Sequence, residues 1–199
     1  MGHARRGALA AVLIGLLALL APSAGAAPGG GGCQLNGNAS FDQGLSSSSK
    51  PFTYSFTGNL TGCQSTDAGA PATGKVQAGG VYTVGGVDYK LDQSTGTGGC
   101  SNSTTAGVAI TDWADGTRTL IKYSTTGAAA AVSLSGTILS SLVLHPVDTT
   151  LPDLTITTTR YAGATPSGLL AFEANPPDCL SATGVKQAGI AGTIGLNHT

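Results

Sequence analysis

The chain has 199 residues, of which 41% are hydrophobic and only 10% charged, with 31 Gly and a combined 44 Ser and Thr. Charged residues make up about a quarter of an ordinary soluble protein, so this scarcity excludes a coiled coil and a basic nucleic-acid binder, which both need dense charge. The hydrophobic share is enough to build a core, which argues against a charge-driven disordered chain.

The first 26 residues read as a secretory signal peptide. Arg5 and Arg6 form a basic start, Ala8 to Leu20 is an uncharged apolar run, and Ala24-Gly25-Ala26 is a small-x-small cleavage signature. The run is shorter than the ~20 apolar residues that span a bilayer. Cleavage after Ala26 leaves 173 residues with seven of the nine Lys/Arg and all ten Asp/Glu, a net charge of −3. That mild acidity offers no electrostatic footprint for nucleic acid or anionic lipid. Residues 27–36 read as a Gly-rich linker, and 37–199 as one domain, the default at this length.

Beyond the linker the pattern has period 2. Strands are expected at Asn38–Phe41 and at Phe52–Leu60, where three aromatics alternate with three hydroxyls over Phe52 to Thr57. Val81–Val84 and Val87–Leu91 flank Gly85-Gly86, a two-residue hairpin signal, and Val87, Tyr89 and Leu91 share one face. Val108–Trp113 and Thr117–Tyr123 flank Asp115-Gly116, a type I′ turn signal. Further strands are expected at Ala130–Ile138, Leu142–His145, Leu154–Tyr161, Leu169–Phe172 and Ala188–Leu196. Ten or eleven short strands and essentially no helix predict an all-β fold, as a β-sandwich of Ig-like or irregular Greek-key type.

Cys33, Cys63, Cys100 and Cys179 make an even set without a C-x-x-C pair, which reads as two disulfides in an oxidising compartment. If the first two strands form a hairpin centred near Ser48, paired positions sum to about 96. Cys33 and Cys63 then meet across its open end, leaving Cys100 for Cys179. Each bridge stabilises by roughly 3–5 kcal/mol through loop closure.

The motifs that carry chemistry are sparse. His145 is the one histidine on which a hydrolase triad could be built, because His198 adjoins the C-terminus and no G-x-S-x-G elbow exists. Ser47-Ser48-Ser49-Lys50 matches S-x-x-K, but it precedes Pro51 and K-T-G is absent. One Glu, Glu173, and nine Asp give no paired-carboxylate pattern, and Asp112 and Asp115 lack the alternating ligands of a calcium loop. No catalytic residue, cofactor or metal site is assigned. Trp113, the only Trp, has two readings. With a two-residue turn at Asp115-Gly116 it lies opposite Arg118 on the outer face, a candidate ligand platform with cation–π support. With a bulged three-residue turn it joins Ile121 and Tyr123 in the core.

The stretches from Phe52 to Cys63 and from Trp113 to Thr117, set in Ala/Gly/Thr-rich sequence, resemble small secreted all-β proteins of actinobacteria. The resemblance brings over no functional residue. A looser analogy, at the level of fold, is to the enediyne-binding apoproteins, which are two-disulfide β-sandwiches. The expectation is a secreted, non-enzymatic binding or envelope-associated module for an unknown extracellular ligand or envelope component, without an integral membrane segment. The alternative is a carrier of an apolar small molecule, ahead of a secreted hydrolase or protease inhibitor. A deep pocket lined by Tyr, Trp or Phe would favour the carrier.

Overall fold

Strict alternation governs the first strand. Cys33, Leu35, Ala39 and Phe41 are buried, while Gln34, Asn36, Asn38 and Ser40 between them are exposed. The same alternation recurs around the molecule, so the sheet has one apolar and one polar face. The computed structural model describes residues 31–174 and 176–197. The expected signal peptide, residues 27–30 of the expected linker and His198 lie outside the described residues. The rest of that linker is strand, because β1 already begins at Gly31.

Thirteen strands follow in order: β1 (Gly31–Leu45), β2 (Lys50–Ser65), β3 (Gly74–Ala78), β4 (Gly80–Val84), β5 (Val87–Leu91), β6 (Ser94–Gly98) and β7 (Asn102–Trp113). Then come β8 (Arg118–Ala128), β9 (Ala131–Leu139), β10 (Ser141–Pro146), β11 (Leu154–Thr157), β12 (Thr165–Glu173) and β13 (Val185–Asn197). A 3-10 turn, Pro176–Leu180, is the only helical element among the described residues. Each expected strand has its counterpart. β3 and β6, rich in Gly and short, were not anticipated.

The all-β expectation holds, but the sandwich does not, and the fold-level analogy to the enediyne-binding apoproteins goes with it. The large sheet runs β1-β13-β12-β9-β8-β7-β3-β2, and β2 pairs back onto β1. It therefore closes on itself as an eight-lane antiparallel barrel. Closure removes the sheet edges that a sandwich leaves open.

Each lane neighbours the next lane in the chain, with two excursions. β3 and β6 are two halves of one lane. Ala78 lies opposite Phe56 and Ser94 opposite Tyr54, so the chain leaves after Ala78 and returns two positions further along β2. The excursion between them is the β4–β5 hairpin, closed at Gly85-Gly86 with both φ values positive (59° and 81°), as a type I′ turn requires. The second excursion, β10–β11, leaves between β9 and β12. The two excursions meet through β5 and β10 and form a separate four-stranded sheet.

That sheet covers an apolar patch on the outside of the barrel. Ile110 and Leu120 face outward, yet they are 1% and 0% exposed, packed under Tyr82, Tyr89, Leu91, Leu144 and Ile156. Ile110 and Ile121 therefore lie on opposite faces of the barrel wall. The β7–β8 pairing runs Asp112↔Arg118 and Ala109↔Ile121, one residue off the two-residue-turn register. Gly116 at φ 82° follows a turn closed by its N–H donating to the Trp113 carbonyl (3.0 Å), which makes a three-residue, bulged loop. A one-residue slip exchanges the faces of a strand.

Both disulfides form as the hairpin register implies: Cys33–Cys63 and Cys100–Cys179. β1–β2 pairs sum to 95 from Gln34↔Thr61 to Phe41↔Tyr54 and to 96 beyond Cys33, where Gly62 (φ 57°) provides the extra residue of a bulge. The bridges close sequence separations of 30 and 79 residues. Loop-closure entropy gives about 3.6 and 4.5 kcal/mol respectively. Urea unfolding of Cys33→Ala/Cys63→Ala and of Cys100→Ala/Cys179→Ala should show losses of this order, with the second pair costing more.

Candidate functional site

The barrel interior is the site. Inward positions of all eight lanes line a cavity of about 140 Å³, among them Leu35, Ala39, Val76, Ala109, Ile121 and Leu170. The wall is almost wholly apolar because nearly every inward side chain is aliphatic or aromatic.

Each end of the barrel is closed by aromatic packing. At the end bearing the β1–β2 turn, the Phe41 ring packs against Phe52 (5.8 Å between centroids), Tyr54 (5.9 Å) and Phe172 (6.2 Å). At the other end Trp113 meets Tyr161 edge-on at 5.3 Å, beside the Cys33–Cys63 bridge. Tyr161 holds a left-handed backbone (φ 58°) that L-residues adopt at a cost of ~1–2 kcal/mol. Its ring is buried, and the Arg160 guanidinium lies 5.2 Å from its centroid.

The second disulfide spans the first end. Cys100 follows β6 and Cys179 lies between β12 and β13, positions four lanes apart around an eight-lane ring. Their Cα atoms are nonetheless only 6.1 Å apart, so the β12–β13 connection folds inward across the mouth. The β1–β2 turn joins it: the Ser47 amide donates to the Cys179 carbonyl (3.1 Å) and the Cys100 amide to the Ser46 carbonyl (2.9 Å). The S-x-x-K match therefore belongs to a structural turn.

Within the apolar interior lies one polar seam. Ser94 Oγ bonds the Tyr123 hydroxyl (2.7 Å), Tyr123 bonds Tyr54 (2.7 Å), Tyr54 bonds Thr105 Oγ1 (3.0 Å), and Thr105 bonds Thr125 Oγ1 (2.7 Å). Glycine makes room for it. A Cβ on Gly107 would run into Ser94 Oγ and come within 3.0 Å of the Tyr123 hydroxyl. The period-2 pattern put Tyr54 on an aromatic face and Tyr123 among core candidates, but it did not find Ser94, Thr105 or Thr125. Their inward direction depends on closure of the barrel, for which the local pattern carries no signal.

The candidate platform of Trp113 and Arg118 does not form. Trp113 is 5% exposed and points into the barrel, its indole N–H donating to Thr119 Oγ1 (2.8 Å), which donates in turn to the Arg160 carbonyl (2.9 Å). Arg118 is on the outer face, bonded through Nε to Asp112 (2.7 Å) and 5.5 Å from the centroid of the Tyr82 ring. Tyr82 donates to the same carboxylate at 2.7 Å. The bulged turn that shifts the register separates the two residues.

The remaining candidates are dispersed. His145 is exposed on the four-stranded sheet, and among the described residues its ring bonds only Asp153 (2.9 Å). Asp115 accepts from the hydroxyl and amide of Thr117, which hold its carboxyl below the usual range. Among the described residues no three His, Cys, Asp or Glu side chains gather as a metal-ligand set. No family model matches the chain, and neither a curated protein nor a solved structure matches it.

Burial pushes the Tyr123 hydroxyl above its ordinary value, helped by the neighbouring Tyr54. Burial likewise raises Tyr54, against the opposing hydrogen bonds from Thr105, Tyr123 and Ser94. Tyr82 is raised by burial and by its bond to the Asp112 carboxylate. An unfolded tyrosine loses its proton near pH ~10. Above that pH the unfolded chain binds fewer protons than the folded one, and stability falls as pH rises. An alkaline titration should therefore leave stability untouched by these three groups below pH ~10 and lower it above. Their phenolate absorbance should appear together with unfolding, and Tyr123→Phe should reduce the slope.

Proposed function

We propose that the protein is an extracellular carrier that holds an apolar small molecule inside the barrel. The single observation behind this reading is the apolar cavity of about 140 Å³ enclosed by the eight lanes. Fully packed interiors leave few voids larger than a water molecule. A dry apolar cavity of ~150 Å³ takes a guest of benzene size. The interior aromatics are the lining that separates a carrier from a smooth binding module.

Polarity of the faces supports a water-borne carrier. A membrane-spanning barrel is apolar outside and polar within, and here the outward residues of β1 are Gln34, Asn36, Asn38, Ser40 and Asp42. Export is supported by the two disulfides and by the basic, apolar and small-residue sequence of residues 1–26. Amino-terminal sequencing of the exported protein should begin at Ala27; retention of Met1 would sink this part of the reading.

Toluene tests the carrier. At one hundred times its dissociation constant it should add about 2.7 kcal/mol, raising the melting temperature of a chain this size by roughly 5–10 °C. The methyl resonances of Leu35, Ala109 and Ile121 should shift with it. Ala109→Leu, which fills the cavity, should remove both responses. A melting temperature and methyl spectrum unmoved by saturating toluene would overturn the carrier.

A further inference from the structure

The hydroxyls of the polar seam form an odd sum. Among the described residues five O–H groups (Ser94, Tyr123, Tyr54, Thr105 and Thr125) share four hydrogen bonds in a single line. Each hydroxyl has one proton to donate, so one O–H has no acceptor within the line.

Ser94 is not the group left over. It is 0% exposed and does not line the cavity. A donor left without a partner there would bear the full desolvation penalty of a buried polar group, so Ser94 donates to Tyr123. The other four hydroxyls then share three bonds. All four residues line the cavity, so whichever O–H is undonated belongs to the cavity wall. Thr125, half-buried, is the far end of the line.

We propose that the interior site takes an apolar molecule carrying one hydrogen-bond acceptor, a ketone, aldehyde, ether or alcohol, whose oxygen accepts the undonated O–H beside Tyr54, Thr105 and Thr125. The rest of the guest lies against the aliphatic wall. A charged guest is disfavoured because, among the described residues, the titratable side chains on the cavity wall are tyrosines alone, Cys33 and Cys63 being joined in a disulfide. A pure hydrocarbon fits the walls but leaves the O–H unmatched. The inference rests on the carrier reading and adds the chemistry of the guest.

The isosteric pair methylenecyclohexane and cyclohexanone separates the two. They differ in one group, an exocyclic CH2 against a carbonyl oxygen. Both are titrated into the disulfide-intact protein, and the infrared carbonyl band of bound cyclohexanone is compared with its position in alkane and in alcohol. The proposal expects both probes to bind, with the carbonyl band at the alcohol position. It also expects the shape-conserving variant Tyr54→Phe/Tyr123→Phe/Thr105→Val/Thr125→Val to weaken cyclohexanone about tenfold and methylenecyclohexane less than twofold. Should that variant not fold, the wild-type infrared band decides alone. If both probes bind and the band stays at the alkane position, the inference fails and the carrier stands. If neither binds, the carrier reading fails and takes the inference with it.

Discussion

Everything in this molecule follows from the space inside a closed sheet of eight lanes. A barrel of this size has room for inward side chains but not for a large one at every position. Aromatic rings are therefore admitted only where a neighbour gives way. The ring of Phe52 occupies the volume that a Cβ on Gly96 would need, and Trp113 approaches the place of a Cβ on Gly74 to 2.9 Å. The high glycine content is thus a packing device as much as a turn device. Large and small residues are complementary across lanes, and the remainder that they leave unfilled is the cavity. An alanine at Gly96 would have to displace a ring held at 5.8 Å from Phe41, and so would disturb the closed end of the barrel too.

The period-2 pattern is a local property, and whatever depends on it alone was legible. The alternation from Phe52 to Thr57 and from Val87 to Leu91 survives residue by residue in the burial of those strands. The hairpin register was legible as well, since a single turn relates Cys33 to Cys63. Legibility ends where pairing is nonlocal. β3 and β6 are each five residues long, and β6 is Ser94-Thr95-Gly96-Thr97-Gly98, which has the composition of a loop. They are strands because β2 and β7 hold them from both sides. A sandwich and a barrel share the same strand inventory, and they differ only in whether the first strand meets both the second and the last. The Trp113 question turned on one residue of loop, which decided between an outer platform and an inner plug.

The two excursions solve a problem that the barrel creates. The inward row of β7 and β8 contains Ala109, Thr111, Thr119 and Ile121, but the outward row contains Ile110 and Leu120. Left bare, these would form an exposed apolar patch on an otherwise Thr- and Ser-covered surface. The β4–β5 and β10–β11 hairpins supply Tyr82, Leu91, Leu144 and Ile156 over them, so a second small core forms outside the first. The Asp112, Arg118 and Tyr82 cluster lies beside this outer core. It ties the added sheet to the barrel wall with an ion pair shared by a phenol. This one charge pair is placed where two layers have to be oriented.

The same scarcity of charge explains why the polar seam consists of hydroxyls. An ionised side chain facing this interior would lose its hydration with nothing of opposite sign nearby, and it would neutralise by shifting its pKa. A hydroxyl both donates and accepts, so it can be linked to another hydroxyl without net charge. Such a line has one property that a carboxylate–arginine pair lacks. It carries one more proton than it has bonds, and the sealing of Ser94 leaves that proton to one of the four residues on the cavity wall. Ser94 seals one end by its burial, and Thr125 faces the cavity at the other. The barrel thereby presents directional polarity to its interior while every group in the seam stays neutral. The raised pKa values of Tyr54 and Tyr123 have the same origin, because the low-polarity surroundings that forbid a buried charge also hold the phenols protonated.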